Sequence, residues 1–151
     1  MRKLTRIATG VLAVAGTALA VTGASAEAQG TMSSHYGGLR DHCVGTRIES
    51  HQIKNKRGKV VGRTELWYSA AHGGQNCVMT YNRAGSPFTR TYLWRLKRKG
   101  GLADAAAGDS GFYKYYAGGS FVNNTNKRCV TWGGTVGNFS WFSSPDGVHC
   151  G

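Results

Sequence analysis

The chain has 151 residues, with 19 basic and 7 acidic side chains, 23 glycines, 2 prolines and 4 cysteines. That length suits one domain, and abundant aromatics without a repeating period exclude a coiled coil, a collagen-like repeat and a disordered tail. A helical bundle fits the glycine content poorly.

The chain begins as an export signal. Arg2, Lys3 and Arg6 make a positive start, residues 7–22 are rich in alanine and valine, and Ala24-Ser25-Ala26 has the small-x-small form of a cleavage site. The apolar run falls short of the ~20 residues a spanning helix needs. Residues 1–26 are therefore expected to be removed, leaving a secreted chain with no membrane partner. Losing three basic residues leaves 16 against all 7 acids, a net charge of +9. Residues 27–42 are polar, contain glycine and serine, and predict a loose leader; residues 43–151 predict a single β domain.

Short apolar runs divided by turn chemistry follow. Residues 44–53 and 59–69 read as two strands joined by Asn55-Lys56-Arg57-Gly58, a hairpin. In the second, Leu66 and Tyr68 share one face and Trp67 takes the other. Gly73-Gly74 marks a turn before a strand at 77–81. The clearest alternation, 89–99, is expected to turn Tyr92, Trp94 and Leu96 to the core and Thr91, Arg95, Lys97 and Lys99 to solvent. Residues 102–107 are the one place where a short helical turn is expected. Residues 112–122, 129–136 and 138–142 supply three further strands. Six or seven short antiparallel strands predict an all-β, disulfide-stabilised sandwich or small barrel.

Four cysteines in an exported chain predict two bridges. Three pairings are possible; Cys43–Cys77 and Cys129–Cys150 are favoured because sequence neighbours close the shorter loops. No Cys-x2-Cys pair and no histidines at ligand spacing occur, so neither a metal nor a cofactor is expected.

The positive charge falls in groups. Lys54, Lys56, Arg57 and Lys59, with Arg63, surround the first hairpin turn; Arg90, Arg95, Lys97, Arg98 and Lys99 form a second group, and Lys127-Arg128 a third. Lys54, Lys56, Arg57, Lys59, Arg95, Lys97 and Lys99 are the candidate polyanion contacts, the partner an anionic wall or spore-surface polymer rather than a specific nucleic acid. Trp67, Trp132, Trp141, Tyr113, Tyr115 and Tyr116 could line a sugar site, but most are expected in the core, with Trp141 or Tyr116 the candidate for exposure. Glu49, Glu65, His51, His72 and His149 with nearby arginines would suffice for ribonuclease chemistry, yet no spacing brings them together. Asp109-Ser110-Gly111 lacks the glycine pattern of a nucleophile elbow.

Four motifs carry a resemblance: Gly74-Gln-Asn-Cys77-Val-Met-Thr80, Asp109-Ser-Gly-Phe-Tyr113 running on to Tyr116-Ala-Gly118, Cys129-Val-Thr-Trp-Gly-Gly134 and the terminal His149-Cys150-Gly151. Together they resemble the spore-associated protein A family of small exported actinobacterial proteins, from about residue 43 to the end. The chain departs from that pattern at Gly119-Ser120, where a proline is expected, and in its longer basic stretches. The resemblance implies location and class, and brings no catalytic or ligand residue with it. The expectation is a secreted, non-enzymatic cationic surface protein; the alternatives are a small basic hydrolase, such as a ribonuclease or wall hydrolase, and a carbohydrate-binding or inhibitor module.

Overall fold

A computed structural model describes residues 37–83 and 85–151 as nine strands: β1 Gly37–Leu39, β2 Thr46–Lys54, β3 Val60–Ser69, β4 Gln75–Asn82, β5 Phe88–Leu96, β6 Ala103–Phe112, β7 Tyr116–Asn123, β8 Val130–Val136 and β9 Phe139–Phe142. They form two antiparallel sheets, ordered β1-β7-β4-β3-β2 and β6-β5-β8-β9. The expected signal at 1–26 lies outside the described residues, as does the expected leader up to residue 36.

The sheets stack as a sandwich around one core. Leu66, Val78 and Val122 come from the five-stranded sheet; Leu93, Ala105, Ala107, Val130 and Trp132 come from the four-stranded one. Trp132 is fully buried and is the largest side chain inside. Burying an aromatic of that size is worth several kcal/mol by area, about 25 cal/mol per Å². Both disulfides form in the favoured pairing, Cys43–Cys77 and Cys129–Cys150.

The predicted hairpin is present, with Lys54 opposite Val60 and an Asn55 side chain accepting hydrogen bonds from the Arg57 and Lys59 amides. That Asx-type turn is why the chain reverses at this point. Elsewhere the structure corrects the expectations. Residues 102–107 are not a helical turn but the start of β6, which pairs with β5 along its whole length. Alanine's preference for helix is weak, and pairing with β5 along one side of this edge strand outweighs it. Phe112 closes β6 rather than opening the next strand, and residues 113–115 turn the chain into β7. Gly37–Leu39, expected in the loose leader, pairs with Ser120–Val122 as an edge strand.

The most consequential correction concerns β5. Thr91, Leu93 and Arg95 face inward and are buried, while Phe88, Arg90, Tyr92 and Trp94 share the outer face. The period of two is as expected, but Thr91, Tyr92, Trp94 and Arg95 take the opposite faces, while Leu96, beyond a bulge after Arg95, is buried and Lys97 and Lys99 are exposed as expected. Thr91 bonds Ser120 across the sandwich at 2.7 Å, Leu93 enters the core, and Trp132 already fills the space between the sheets. Sheets stack only about 10 Å apart, so a second pair of large aromatics has no room there.

Candidate functional site

Basic residues occupy the two ends of the sandwich. At one end lie the β2–β3 turn, the loop after β4 and the β8–β9 turn, where Asn55, Lys59, Arg83, Pro87 and Phe139 line a common cleft. Lys54, Lys56, Arg57, Lys59 and Arg83 are exposed here, and none has an ion pair among the described residues. At the other end Lys97, Arg98 and Lys99 occupy the β5–β6 turn, held by a Gly100 amide donating to the Asp146 carbonyl and Arg128 donating to the Lys97 carbonyl. Lys127 is exposed beside them. The nine residues of β5 separate the two ends by about 27 Å. The candidate contacts therefore make two clusters, not one face.

Arg95 belongs to neither cluster. It is 5% exposed, bonds Asp104 at 2.8 Å and donates to the Asn123 carbonyl at 2.7 Å. Its role is structural, because an inward guanidinium is tolerable only when its donors are satisfied. The Arg95 hydrogen bond holds the Asp104 carboxyl below its ordinary value, although partial burial opposes this.

The carboxylates are drawn into the fold in the same way. Glu65 is 1% exposed and accepts from Arg47 and Arg63, each at 2.9 Å. Asp109 accepts from the Tyr113 hydroxyl at 2.6 Å and the Gly118 amide at 2.8 Å. Burial and that carboxylate push the Tyr113 phenol far above its ordinary value, so it remains a donor. Glu49 lies 2.6 Å from His51 Nε2 and 2.6 Å from His149 Nε2. Burial alone would raise the Glu49 carboxyl, but the hydrogen bonds and charge of His149 and His51 hold it below its ordinary value.

Three of the five residues that suggested ribonuclease chemistry thus meet: Glu49 and His51 on β2, and His149 from the C-terminal segment. Pairing of Val148 with Val130 and the Cys129–Cys150 bridge bring that segment over. Glu65 and His72 do not join them. Glu65 has Arg47 and Arg63, and His72 sits exposed in a single 3-10 turn, Ala71–Gly73, at φ 55°. A carboxylate between two imidazoles can orient a proton donor and acceptor. Among the described residues no lysine or arginine is bonded to it, and His51 is stacked on Trp141 at 3.7 Å. Trp141 is half-buried for that reason, and Tyr116 is half-buried near Tyr81 and His42. Among the described residues the exposed large aromatics are Phe112, Tyr115 and Phe142. Among the described residues no three histidine, cysteine or acidic side chains are arranged to hold a metal.

The outer face of the four-stranded sheet has the other notable arrangement. Arg90, Tyr92 and Trp94 stand along β5, and opposite them on the edge strand β6 the outward residues are Ser110, Gly108 and Ala106. Large side chains beside small ones leave a groove of about 270 Å³. Tyr92 and Trp94 stack with centroids 5.5 Å apart and planes 18° apart, and Phe142 of β9 packs 5.2 Å from Tyr92. Arg90 donates to the Tyr92 hydroxyl at 2.6 Å and has no carboxylate partner among the described residues.

Comparisons with protein-family models, curated proteins and solved structures find no match. The resemblance to spore-associated protein A rests on its four motifs.

Sequence reasoning missed this groove. The signal available was the run Ala103 to Gly111, whose small outward residues pair with the bulkiest stretch of the chain; it was obscured by expecting helix there and by placing Tyr92 and Trp94 inside.

Proposed function

We propose that the chain is a secreted, non-enzymatic cationic protein held on the anionic polymers of a cell wall or spore surface. The observation that carries this reading is the division of charge. Glu65, Asp104 and Asp109 bond inside the fold and Glu49 is held between two histidines, while Lys54, Lys56, Arg57, Lys59, Lys97 and Lys99 stand exposed at the two ends. The positive potential is therefore concentrated where a polyanion can reach it. With a cluster at each end, one molecule can touch two polymer strands at once, and a second contact raises retention by avidity. Two disulfides suit an oxidising exterior.

Retention on purified walls tests the proposal. Binding at low salt is expected to be lost at about 1 M salt, where the screening length is only ~3 Å. Lys54→Glu combined with Lys59→Glu should weaken low-salt retention by roughly tenfold or more, given the steep dependence on neutralised charge. Equal retention at both salt levels would refute it.

The Glu49–His51–His149 contact favours a second reading, a small hydrolase of RNA or wall polymer. Turnover of RNA or peptidoglycan that disappears in His149→Ala would replace the proposal above.

A further inference from the structure

We infer that the groove between β5 and β6 is a binding site for a polysaccharide chain, separate from the basic clusters. The floor is made by Ala106, Gly108 and Ser110, alternate residues of the edge strand, and the wall by Arg90, Tyr92 and Trp94. From Ala106 to Ser110 the trough runs about 13 Å along the strand. It is open to solvent, and its wall offers aromatic carbon against which the C–H face of a sugar ring packs. Arg90 and the Ser110 hydroxyl supply polar groups for ring substituents, which is the combination of apolar surface and few convergent polar groups that ligand sites use.

The pattern of charge selects the ligand class. A single-stranded nucleic acid needs cations that track its phosphates along the stacked bases. Within the groove Arg90 is the one cation, and the lysine clusters lie at the ends of the sandwich. Asp109, which also lines the groove, keeps its negative charge because its partners, the Tyr113 hydroxyl and the Gly118 amide, are neutral, so it disfavours a densely anionic chain. Hydroxyls extend the same face beyond the groove, with Thr135 and Ser140 paired at 2.8 Å on β8 and β9. Aromatic wall, hydroxyls and one guanidinium suit a hydroxyl-rich chain bearing at most a sparse negative charge.

The test uses the native chain and immobilised β-glucan, chitin, mannan and peptidoglycan, at about 1 M salt so that the basic clusters are screened. Binding to at least one polysaccharide is expected to persist there. Trp94→Ala should weaken it about tenfold or more, as removal of a stacking ring does. Ala106→Trp, which fills the trough with a residue that strands accept, should abolish it with an unchanged melting temperature. Lys54→Glu with Lys59→Glu should leave it untouched, which separates this site from charge-based retention. Binding to none of the four polymers, equal binding by Ala106→Trp, or tighter binding of a 20-nucleotide single strand that Trp94→Ala weakens would each overturn the inference.

Discussion

The outer faces of the two sheets share their strand geometry and differ in what lies on them. On the five-stranded sheet the surface is closed by the molecule itself. Cys43 is bonded to Cys77, the Arg40 guanidinium sits 4.0 Å over the Phe121 ring, Arg63 lies 4.8 Å over Tyr81, and Glu65 is neutralised by Arg47 and Arg63. On the four-stranded sheet Arg90, Tyr92 and Trp94 border a trough with no side chain across it. Aromatics and arginines occur on both faces, so composition does not distinguish a structural surface from a binding one. The difference is one of volume, since on the four-stranded sheet Ala106, Gly108 and Ser110 stand opposite the large residues and leave a trough, although Arg90 and Tyr92 bond each other there too.

Breaking the closed face should cost stability. Replacing Cys43 and Cys77 by serine removes a bridge across 34 residues and is expected to cost about 3–4 kcal/mol in the chain-entropy view, read as a large fall in melting temperature. Glu65→Ala should cost about 2 kcal/mol, because it removes a buried carboxylate that two arginines bond. Neither change should alter polysaccharide binding at high salt.

Trp94→Ala should do the reverse, changing stability by less than about 1 kcal/mol while weakening binding, because its ring is on the outer face. Trp132→Ala is its control, since a core tryptophan of the same sheet should cost ~3–5 kcal/mol. If the two tryptophans cost the same in a denaturant titration, the groove is not an open surface.

The smallest effect concerns pH. Glu49 and Asp104 both have carboxyls held below their ordinary values in the folded chain. Each therefore contributes stability that is complete above its unfolded value and is lost as pH falls through its folded value. Melting temperature should decline below about pH 4.5, the ordinary value for glutamate, and Glu49→Gln should flatten part of that decline. An acid limb identical in the variant would detach Glu49 from His51 and His149.

Several features were legible before any tertiary information. The hairpin at Asn55 to Gly58 follows from a turn sequence between two alternating runs, and the bridges follow from neighbouring cysteines in chain order. The Glu49–His149 contact was not legible, since 100 residues separate the partners and only the return of the C-terminal segment to β8 brings them together. Arg95 was misplaced because a charged residue among lysines suggests solvent. Its partner Asp104 lies across the β5–β6 turn, in a stretch whose alanines suggest helix.

The sequence by itself therefore determined an all-β chain, its first hairpin and the period of β5, and favoured the cysteine pairing that the structure shows, all from local chemistry or order along the chain. Only the tertiary structure decided which face of β5 is inside, which carboxylates find partners and where a groove is left open. A period of two is symmetric between the faces of a strand. The symmetry is broken by volume, because Trp132 fills the space between the sheets and Tyr92 and Trp94 must stand outside.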